Sequence, residues 1–394
     1  MDNTERPVFG PWPSYAPDEI AAATAVLQSG QANYWTGQTC RDFEQAFATW
    51  CGARHGIAVA NGTVALELAL LGLDIAPGAE VVTTPRTFLA TSSACVARGL
   101  RPVFADVDRD SGNITAATIE AALTPRTRAI IPVHLAGWPC DMDAIMALAA
   151  RHGLQVIEDC AQAHGARYKG RSVGSFGHAN AWSFCQDKII STGGEGGMVT
   201  TDDDAAWSAM WSYKDHGKSY AAVYEREHPP GFRWLHDDFG TNWRLTEMQA
   251  AIGRVQLGKL SDWVAVRRRN AGILRDRLQG FACVRIPEPG PEYVNSYYRF
   301  HCYVERDKLK PGWTRGRIRE AIRAQGVPCT GGVCSEIYLE KAFEKAGLQP
   351  PERLPVAKEL GETCLMFVAH PTLSVEAMVY YADVVASVLE EAEG

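Results

Sequence analysis

The chain has 394 residues, of which 46% are hydrophobic and 22% are charged, as in a globular protein long enough for two domains. Its formal net charge of −7 argues against nucleic acid as the main partner, because phosphate binding requires a positive surface. No apolar run approaches the roughly 20 residues that span a bilayer, and no signal peptide is evident. The eleven cysteines are scattered without zinc-like spacing. We therefore expect a cytoplasmic protein with reduced thiols and no metal.

Helical and strand patterns alternate from about residue 18 to residue 153. One helical segment places Phe43, Phe47 and Trp50 on a single face. Short apolar runs predict the strands between the helices: GIAVA, EVVTTP, PVFADV, AIIPVH and LQVIED. Such alternation is typical of a largely parallel sheet that helices cover on both faces. Functional side chains in these sheets gather beyond the carboxyl ends of the strands.

The second half of the chain is organised differently. A helix is predicted over DDDAAWSAMWSY, and a polar, aromatic and proline-containing loop then continues to about Asn242. The helical pattern from Leu245 to Leu278 is long enough to connect two domains. Beyond it, patterns such as YRFHCYVE and RGRIREAIRAQG predict a smaller α+β domain. We therefore predict a large α/β domain at residues 1–265 and a small C-terminal domain at residues 266–394.

Lys188 lies between the apolar run ANAWSF and the glycine-rich segment TGGEGG. A solvated surface cation is the general expectation for a lysine. A phosphate-gripping lysine would require GxxxxGK[ST] followed by a helix, whereas this lysine precedes the glycines and GMVTT has a strand pattern. The third interpretation is an amine that bonds to a carbonyl cofactor. Glycines allow the backbone to approach a ligand or another chain closely, which is compatible with this interpretation.

Other residues with chemical potential stand at the ends of predicted strands. Asp159 ends LQVIED, and a buried carboxylate there needs a salt bridge, a helix cap or a protonated pyridine nitrogen as its partner. Gly62 and Thr63 open a helix, as an ordinary N-cap or as a phosphate site. Ser183 could donate to the same phosphate, and Phe88 either packs in the core or against a flat ring. Together these residues fit a pyridoxal phosphate site better than any other.

Five segments resemble the DegT/StrS family of sugar aminotransferases, in the order NGTVALELAL, VIEDCAQAHGA, SFCQDKIISTGGEGGMVTT, GTNWRLTEMQAAIGRVQL and RLPVAKELGETCLMFVAHPTL. The similarity covers nearly the whole chain. It implies fold type I of the pyridoxal phosphate (PLP) enzymes, with a mostly parallel mixed sheet flanked by helices and a smaller C-terminal α+β domain. It also implies a homodimer that shares its active site across the interface, with no nucleic-acid or membrane partner.

The resemblance implies roles for eight residues. Lys188 is expected to bond covalently to pyridoxal 5'-phosphate, and Asp159 to pair with the pyridine nitrogen. Gln162 is expected near the phenolic oxygen, and Phe88 over one face of the ring. The phosphate is expected to be held by Gly62, Thr63, Ser183 and, across the dimer interface, Asn242.

The resemblance also limits the reaction. Some family members replace the lysine with histidine and catalyse dehydration, so Lys188 favours amino transfer from glutamate or glutamine to a nucleotide-linked ketosugar. C4 of a 4-keto-6-deoxy sugar is the first expectation, a C3 ketone the second and a keto-cyclitol the third. The product would enter a lipopolysaccharide O-antigen, another surface polysaccharide or an antibiotic. A PLP-dependent lyase or dehydratase, and a cofactor-binding regulator without turnover, are the alternatives.

Two places depart from the family pattern near the substrate. Arg86 stands in PRTF where an aromatic or small residue is common, and TGGVCSEIYLEKAF lacks a frequent His-Tyr pair. We expect cations such as Arg86, Arg244 or Lys218 to face the cleft and meet a diphosphate. Desolvation and neighbouring cations are expected to lower the pKa of the Lys188 amine, since a lysine acts as a base only when neutral.

Overall fold

The computed structural model describes residues 7–394, and residues 1–6, part of the stretch searched for a signal peptide, lie outside this range. The helices are α1 (Pro17–Ser29), α2 (Thr39–Cys51), α3 (Gly62–Gly72), α4 (Ala90–Ala97), α5 (Ala116–Ala122), α6 (Met142–His152), α7 (Asp204–Tyr213), α8 (Tyr220–Tyr224), α9 (Glu247–Leu278), α10 (Arg315–Ala324), α11 (Lys341–Ala346), α12 (Pro355–Thr363) and α13 (Val375–Ala392). The strands are β1 (His55–Val59), β2 (Glu80–Thr83), β3 (Arg101–Phe104), β4 (Thr127–Ile131), β5 (Gln155–Asp159), β6 (Arg167–Tyr168), β7 (Arg171–Ser172), β8 (Ala179–Ser183), β9 (Gly197–Thr201), β10 (Val284–Arg285), β11 (Tyr293–Val294), β12 (Phe300–Val304) and β13 (Cys364–Phe367).

A seven-stranded sheet forms the centre of the large domain, in the order β1-β9-β8-β5-β4-β2-β3. β9 runs antiparallel to both of its neighbours, and the other pairs in the sheet are parallel. The predicted α/β class with a mostly parallel mixed sheet is thus confirmed. Strands β2, β8 and β9 are buried along their whole length, as expected for a sheet that helices cover on both faces.

The direction of the strands brings distant parts of the sequence together. β1 is parallel to β8 because each is antiparallel to β9, the strand between them. The carboxyl ends of β1, β2, β5 and β8 therefore lie at the same edge of the sheet. Helices α3 and α4 begin just beyond β1 and β2 at this edge. The site described below is built there.

A second core lies in the C-terminal part of the chain. It is formed by the end of α9, the antiparallel sheet β10-β12-β13 and helices α10 and α13. α9 begins with a capping box, in which Thr246 and Gln249 satisfy each other's backbone amides, and it runs from the large sheet into this core. The predicted boundary between residues 265 and 266 falls inside α9 and stays a prediction.

Several short elements were not predicted. The short helix α8 interrupts the segment expected to be a loop up to Asn242. β11 pairs with β6, which itself pairs with β7, in a small antiparallel sheet that joins the C-terminal part to the large domain. Among the residues described, no helix combines the length and the apolar character needed to cross a bilayer.

Candidate active site

A cleft of about 640 Å³ opens at the carboxyl edge of the sheet. It collects side chains from β5, β8, the start of α3, the turn before α4 and the small-domain segment before β12. Seven of the residues predicted for the cofactor site line this one cleft: Gly62, Thr63, Phe88, Asp159, Gln162, Ser183 and Lys188. They come together because their strands end at the same edge.

One end of the cleft is suited to an anion. Asn61 caps α3, with its side-chain oxygen accepting from the amide of Val64 at 3.0 Å. The first amides of a helix have no partner within the helix, so those of Gly62 and Thr63 are available to a ligand. Ser183 lies directly beside them, because a Cβ added to Gly62 would come within 2.6 Å of the Ser183 Cβ. Only glycine lets the helix start approach the serine hydroxyl this closely.

Another part of the cleft contains a buried carboxylate. Asp159 is only 4% exposed and accepts hydrogen bonds from the Thr91 hydroxyl at 2.8 Å and the Ala161 amide at 3.1 Å. Burial raises the pKa of Asp159, and these two donors, together with Lys188, offset only part of that effect. A ligand cation at this position would stabilise the ionised carboxylate. Thr91 was not singled out in the sequence, because it lies inside α4 rather than at a strand end.

Glu158, the neighbour of Asp159 on β5, serves the fold instead. Successive side chains of a strand point to opposite faces. Glu158 is fully buried, accepts from His134 at 2.9 Å and also accepts the backbone amides of Gly174, Phe176 and Gly177. Glu158, His134 and Cys160 lie close enough together to resemble a set of metal ligands. The Glu158 carboxylate, however, is already occupied by the hydrogen bonds just described.

Lys188 projects into the cleft from the loop after β8, and its side chain is 14% exposed. Its Nζ donates to the Tyr298 hydroxyl at 3.5 Å and lies 3.9 Å from an oxygen of Asp187. Burial lowers the pKa of Lys188, but Tyr298 and Asp187 raise it, and the net direction is upward. The expectation of a lowered pKa was therefore wrong for the cofactor-free chain, because Tyr298 and Asp187 together outweigh the effect of burial.

Gln162 and Phe88 complete the walls of the cleft. The side-chain oxygen of Gln162 accepts the amide of Ala136 at 2.9 Å, which leaves its NH2 group as the donor available to an oxygen in the cleft. Phe88 is 71% exposed, so one face of its ring is open to a flat ligand. Ala161 also lines the cleft, where its small side chain leaves room for a ring.

The residues expected to bind a diphosphate lie elsewhere. Arg86 is fully buried, donates to Ser335 at 2.9 Å and Tyr303 at 3.5 Å, and does not line the cleft, so the expectation that it faces the substrate was wrong. Its hydrogen bond holds the segment before Ser335, whose Val333 and Cys334 do line the cleft.

Lys218 and Arg244 are also absent from the residues that line the cleft. Both pair with Asp215, Lys218 at 3.1 Å. Asn242 is exposed and pairs through its backbone with Asp215, outside the cleft. Its expected contact with a phosphate concerns a second subunit and stays a prediction.

The donor set as a whole fits one cofactor. A buried carboxylate suits a protonated pyridine nitrogen, and a lysine amine suits an aldehyde. Helix amides and a hydroxyl suit a phosphate, and an exposed aromatic ring suits the face of the pyridine. The sequence matches the model of the DegT/DnrJ/EryC1/StrS aminotransferase family over residues 13–388.

The chain belongs to this family.

Similar proteins agree with this assignment. UDP-N-acetyl-3-dehydro-α-D-glucosamine 3-aminotransferase of Acidithiobacillus ferrooxidans is 37% identical over 389 residues, covering 98% of this chain and 99% of that protein. GDP-perosamine synthase of Caulobacter vibrioides is 43% identical over 291 residues, 74% of this chain and 75% of that protein. The solved aminotransferase of Psychrobacter cryohalolentis has a TM-score of 0.95 and 55% identity, covering 97% of this chain and 99% of that one.

The DegT/DnrJ/EryC1/StrS protein described here is therefore a pyridoxal phosphate-dependent sugar aminotransferase. The predicted family, fold, enzyme class and cofactor are confirmed. Sequence reasoning missed three residues at the site, namely Thr91, Asp187 and Tyr298. Asp187 alone had an available signal, since it is an acidic residue directly before the candidate lysine.

Proposed function

We propose that this aminotransferase transfers the amino group of glutamate or glutamine to the ketone of a nucleotide-linked sugar, with Lys188 and Asp159 as its catalytic residues. The observation that carries the proposal is the placement of both side chains in one cleft, together with a glycine-started helix and a serine hydroxyl suited to a phosphate. These groups come from separate parts of the sequence and meet at one edge of the sheet.

The residues of the chain divide the work. When bound, PLP supplies an electron sink for the electrons left behind as a proton leaves the donor α-carbon. Asp159 holds the proton on the pyridine nitrogen, which keeps that sink effective. The Lys188 amine, once free, would remove the proton from the donor α-carbon. In the second half of the reaction it would deliver a proton to the sugar carbon that receives the nitrogen. Gln162 donates to the phenolic oxygen, and Phe88 covers the ring.

The acceptor and the shared site are also part of the proposal. C4 of a 4-keto-6-deoxy sugar is the first candidate, and the name of the Acidithiobacillus relative favours a C3 ketone as the second. The charged residues that line the cleft are Lys188 and three carboxylates, Asp159, Asp187 and Glu195. A diphosphate would need cations in addition, so we propose a homodimer in which the second subunit brings them and Asn242 to the site.

A two-stage spectroscopic experiment tests the function. Glutamate should remove the visible band of the PLP-loaded protein, and a nucleotide-linked ketosugar should restore it, with one amino sugar formed per glutamate consumed. Lys188→Ala should lose this turnover, whereas Lys341→Ala, at an exposed lysine of α11, should retain it. NMR of the product with C3 and C4 ketones separates the two candidates.

Three outcomes would count against the proposal. Turnover by Lys188→Ala would refute the role of the lysine. A deoxygenated sugar without stoichiometric loss of glutamate would indicate a dehydratase or lyase. A band that glutamate leaves unchanged, with no ketosugar consumed, would indicate a binding protein without turnover.

A further inference from the structure

A hydrogen-bonded chain of side chains leads away from Lys188. Its Nζ donates to the Tyr298 hydroxyl at 3.5 Å, and that hydroxyl donates in turn to Asp187. The Arg299 guanidinium donates to the same carboxylate oxygen of Asp187 at 3.3 Å. The other oxygen of Asp187 lies 3.9 Å from the lysine nitrogen. Asp187 therefore contacts the amine both directly and through a buried tyrosine, which is 5% exposed.

The backbone around Tyr298 is fixed by the large domain. The amide of Ser296 donates to the carbonyl of Gly137 at 3.1 Å. Gly137 has a left-handed φ of 95°, and a Cβ there would come within 2.6 Å of the Ser296 hydroxyl and 2.8 Å of the Tyr297 amide. The amide of the preceding residue, Ala136, donates a hydrogen bond to the side-chain oxygen of Gln162. One turn thus positions both Gln162 and the segment that carries Tyr298.

Several charged or titratable groups surround the lysine nitrogen and its hydrogen-bond partners. They are Asp187 on its own loop, Tyr298 and Arg299 before β12, Asp159 at the end of β5, and His164 shortly after it. Burial, with the charges of Lys188 and Arg267, lowers the pKa of His164 to about 3, so that ring is neutral. Among these groups, Tyr298 and Asp187 act most strongly to raise the pKa of Lys188 against the effect of burial.

We propose that Tyr298 and Asp187 are positioning residues that hold the Lys188 nitrogen in the cleft and retain a proton on it. The inference rests on the proposed role of Lys188. The tyrosine oxygen accepts a hydrogen bond from the nitrogen, and the tyrosine hydroxyl donates one to the carboxylate of Asp187. The negative charge of Asp187 therefore favours the protonated nitrogen at close range. The hydrogen bond from Arg299 holds the Asp187 carboxylate in its position beside Tyr298 and Lys188. The pair sets the pH at which the nitrogen at the reaction centre loses its proton.

Asp187→Asn tests the charge without removing the acceptor for Tyr298. The PLP-loaded variant is titrated with pH in the absence of substrate, and the midpoint of the change in visible absorbance is measured. Removal of an opposite charge about 4 Å away should lower this midpoint by roughly one pH unit, and the remaining Arg299 acts in the same direction. Tyr298→Phe should also lower the midpoint and reduce kcat more than it changes KM.

Glu195→Gln is the matched control. It removes the same charge from the same cleft. The side chain of Glu195 is exposed, however, and its carboxylate contacts the Cys185 thiol at 3.9 Å rather than Lys188. Its midpoint should stay at the wild-type value. A general loss of negative charge from the cleft would shift both variants equally.

Borohydride reduction followed by peptide mass analysis separates this inference from the function on which it rests. If the reduced cofactor is attached to another residue, the proposed role of Lys188 fails and the inference fails with it. If it is attached to Lys188 but Asp187→Asn and Tyr298→Phe keep the wild-type midpoint, the inference alone is refuted. An equal shift in Glu195→Gln would refute it too.

Discussion

Replacing Gly62 with alanine should damage both the fold and the cofactor site. The added Cβ would lie 2.6 Å from the Cβ of Ser183, 3.0 Å from its hydroxyl oxygen and 3.2 Å from its Cα. Carbon atoms pack best at about 3.5–4.0 Å, so the start of α3 or the end of β8 would have to move by about 1 Å. Such overpacking costs about 1–3 kcal/mol in the free energy of unfolding.

Two effects of alanine oppose this loss. Gly62 does not have a left-handed φ, so its backbone conformation accepts alanine. Alanine also reduces the entropy of the unfolded chain, which stabilises a protein by about 0.4–1 kcal/mol. The net expectation is a loss of roughly 1–2 kcal/mol in the cofactor-free protein. Because the moving groups are the proposed phosphate donors, PLP affinity should also fall about tenfold, which corresponds to about 1.4 kcal/mol.

Urea unfolding of the cofactor-free protein and a PLP absorbance titration measure these two changes. Gly258→Ala is the matched control, since Gly258 is exposed on α9 with nothing within 4 Å of the added Cβ. It should gain up to about 1 kcal/mol of stability. In the double variant Gly62→Ala/Ser183→Gly the contacts with Cβ and the hydroxyl oxygen are removed and only the 3.2 Å approach to Cα remains, so the two changes should couple by at least about 1 kcal/mol. Full stability and full PLP affinity in Gly62→Ala would refute the steric argument.

Two further substitutions test buried polar contacts. Thr91→Val removes a hydrogen bond that lowers the pKa of Asp159, so the pKa of Asp159 should rise further. The loss of PLP binding on acidification should therefore begin at higher pH than in the wild type. An unchanged pH dependence of PLP affinity would contradict this expectation. Lys214→Met breaks a buried ion pair, in which Nζ lies 2.8 Å from Glu44, and should cost about 3–5 kcal/mol in urea unfolding. Burial lowers the pKa of Lys214, but Glu44 outweighs burial and the net direction is upward, so the contribution of the lysine charge should be present at neutral pH and up to about pH 10 and should fade above it. Equal stability of both proteins at pH 7 would show that the pair is not stabilising.

The sequence predicted the sheet of the large domain well because its signals are local. Most strands of the large sheet contain a short apolar run, because both faces of the sheet are covered. The strand-end rule then placed Asp159, Ser183 and the Gly62 turn at one edge, where the structure has them. The small helix α8 and the two-residue strands β6, β7 and β11 were missed, since segments this short have no readable period.

Charged side chains were harder to place. Arg86 was expected to face the substrate because the PRTF segment lies near the substrate in the family that the sequence resembles. The structure instead buries Arg86 against Ser335, a partner 249 residues away. A local pattern does not show which way a long side chain turns when the groups that receive it come from a different domain.

The sequence by itself determined the α/β class and indicated the cofactor, because strand ends, a glycine-started helix and a lysine before glycines can be read from neighbouring residues. The family followed from the resemblance of five segments in the same order. Tertiary structure alone decided what surrounds the reactive groups. Thr91 reaches Asp159 across 68 residues of sequence, and Tyr298 reaches Lys188 across 110. The protonation of a buried group depends on the charges and dipoles within a few ångströms of it. Those neighbours are set by the packing of α4 and of the small domain, so the state of Lys188 and Asp159 could not be read from the sequence.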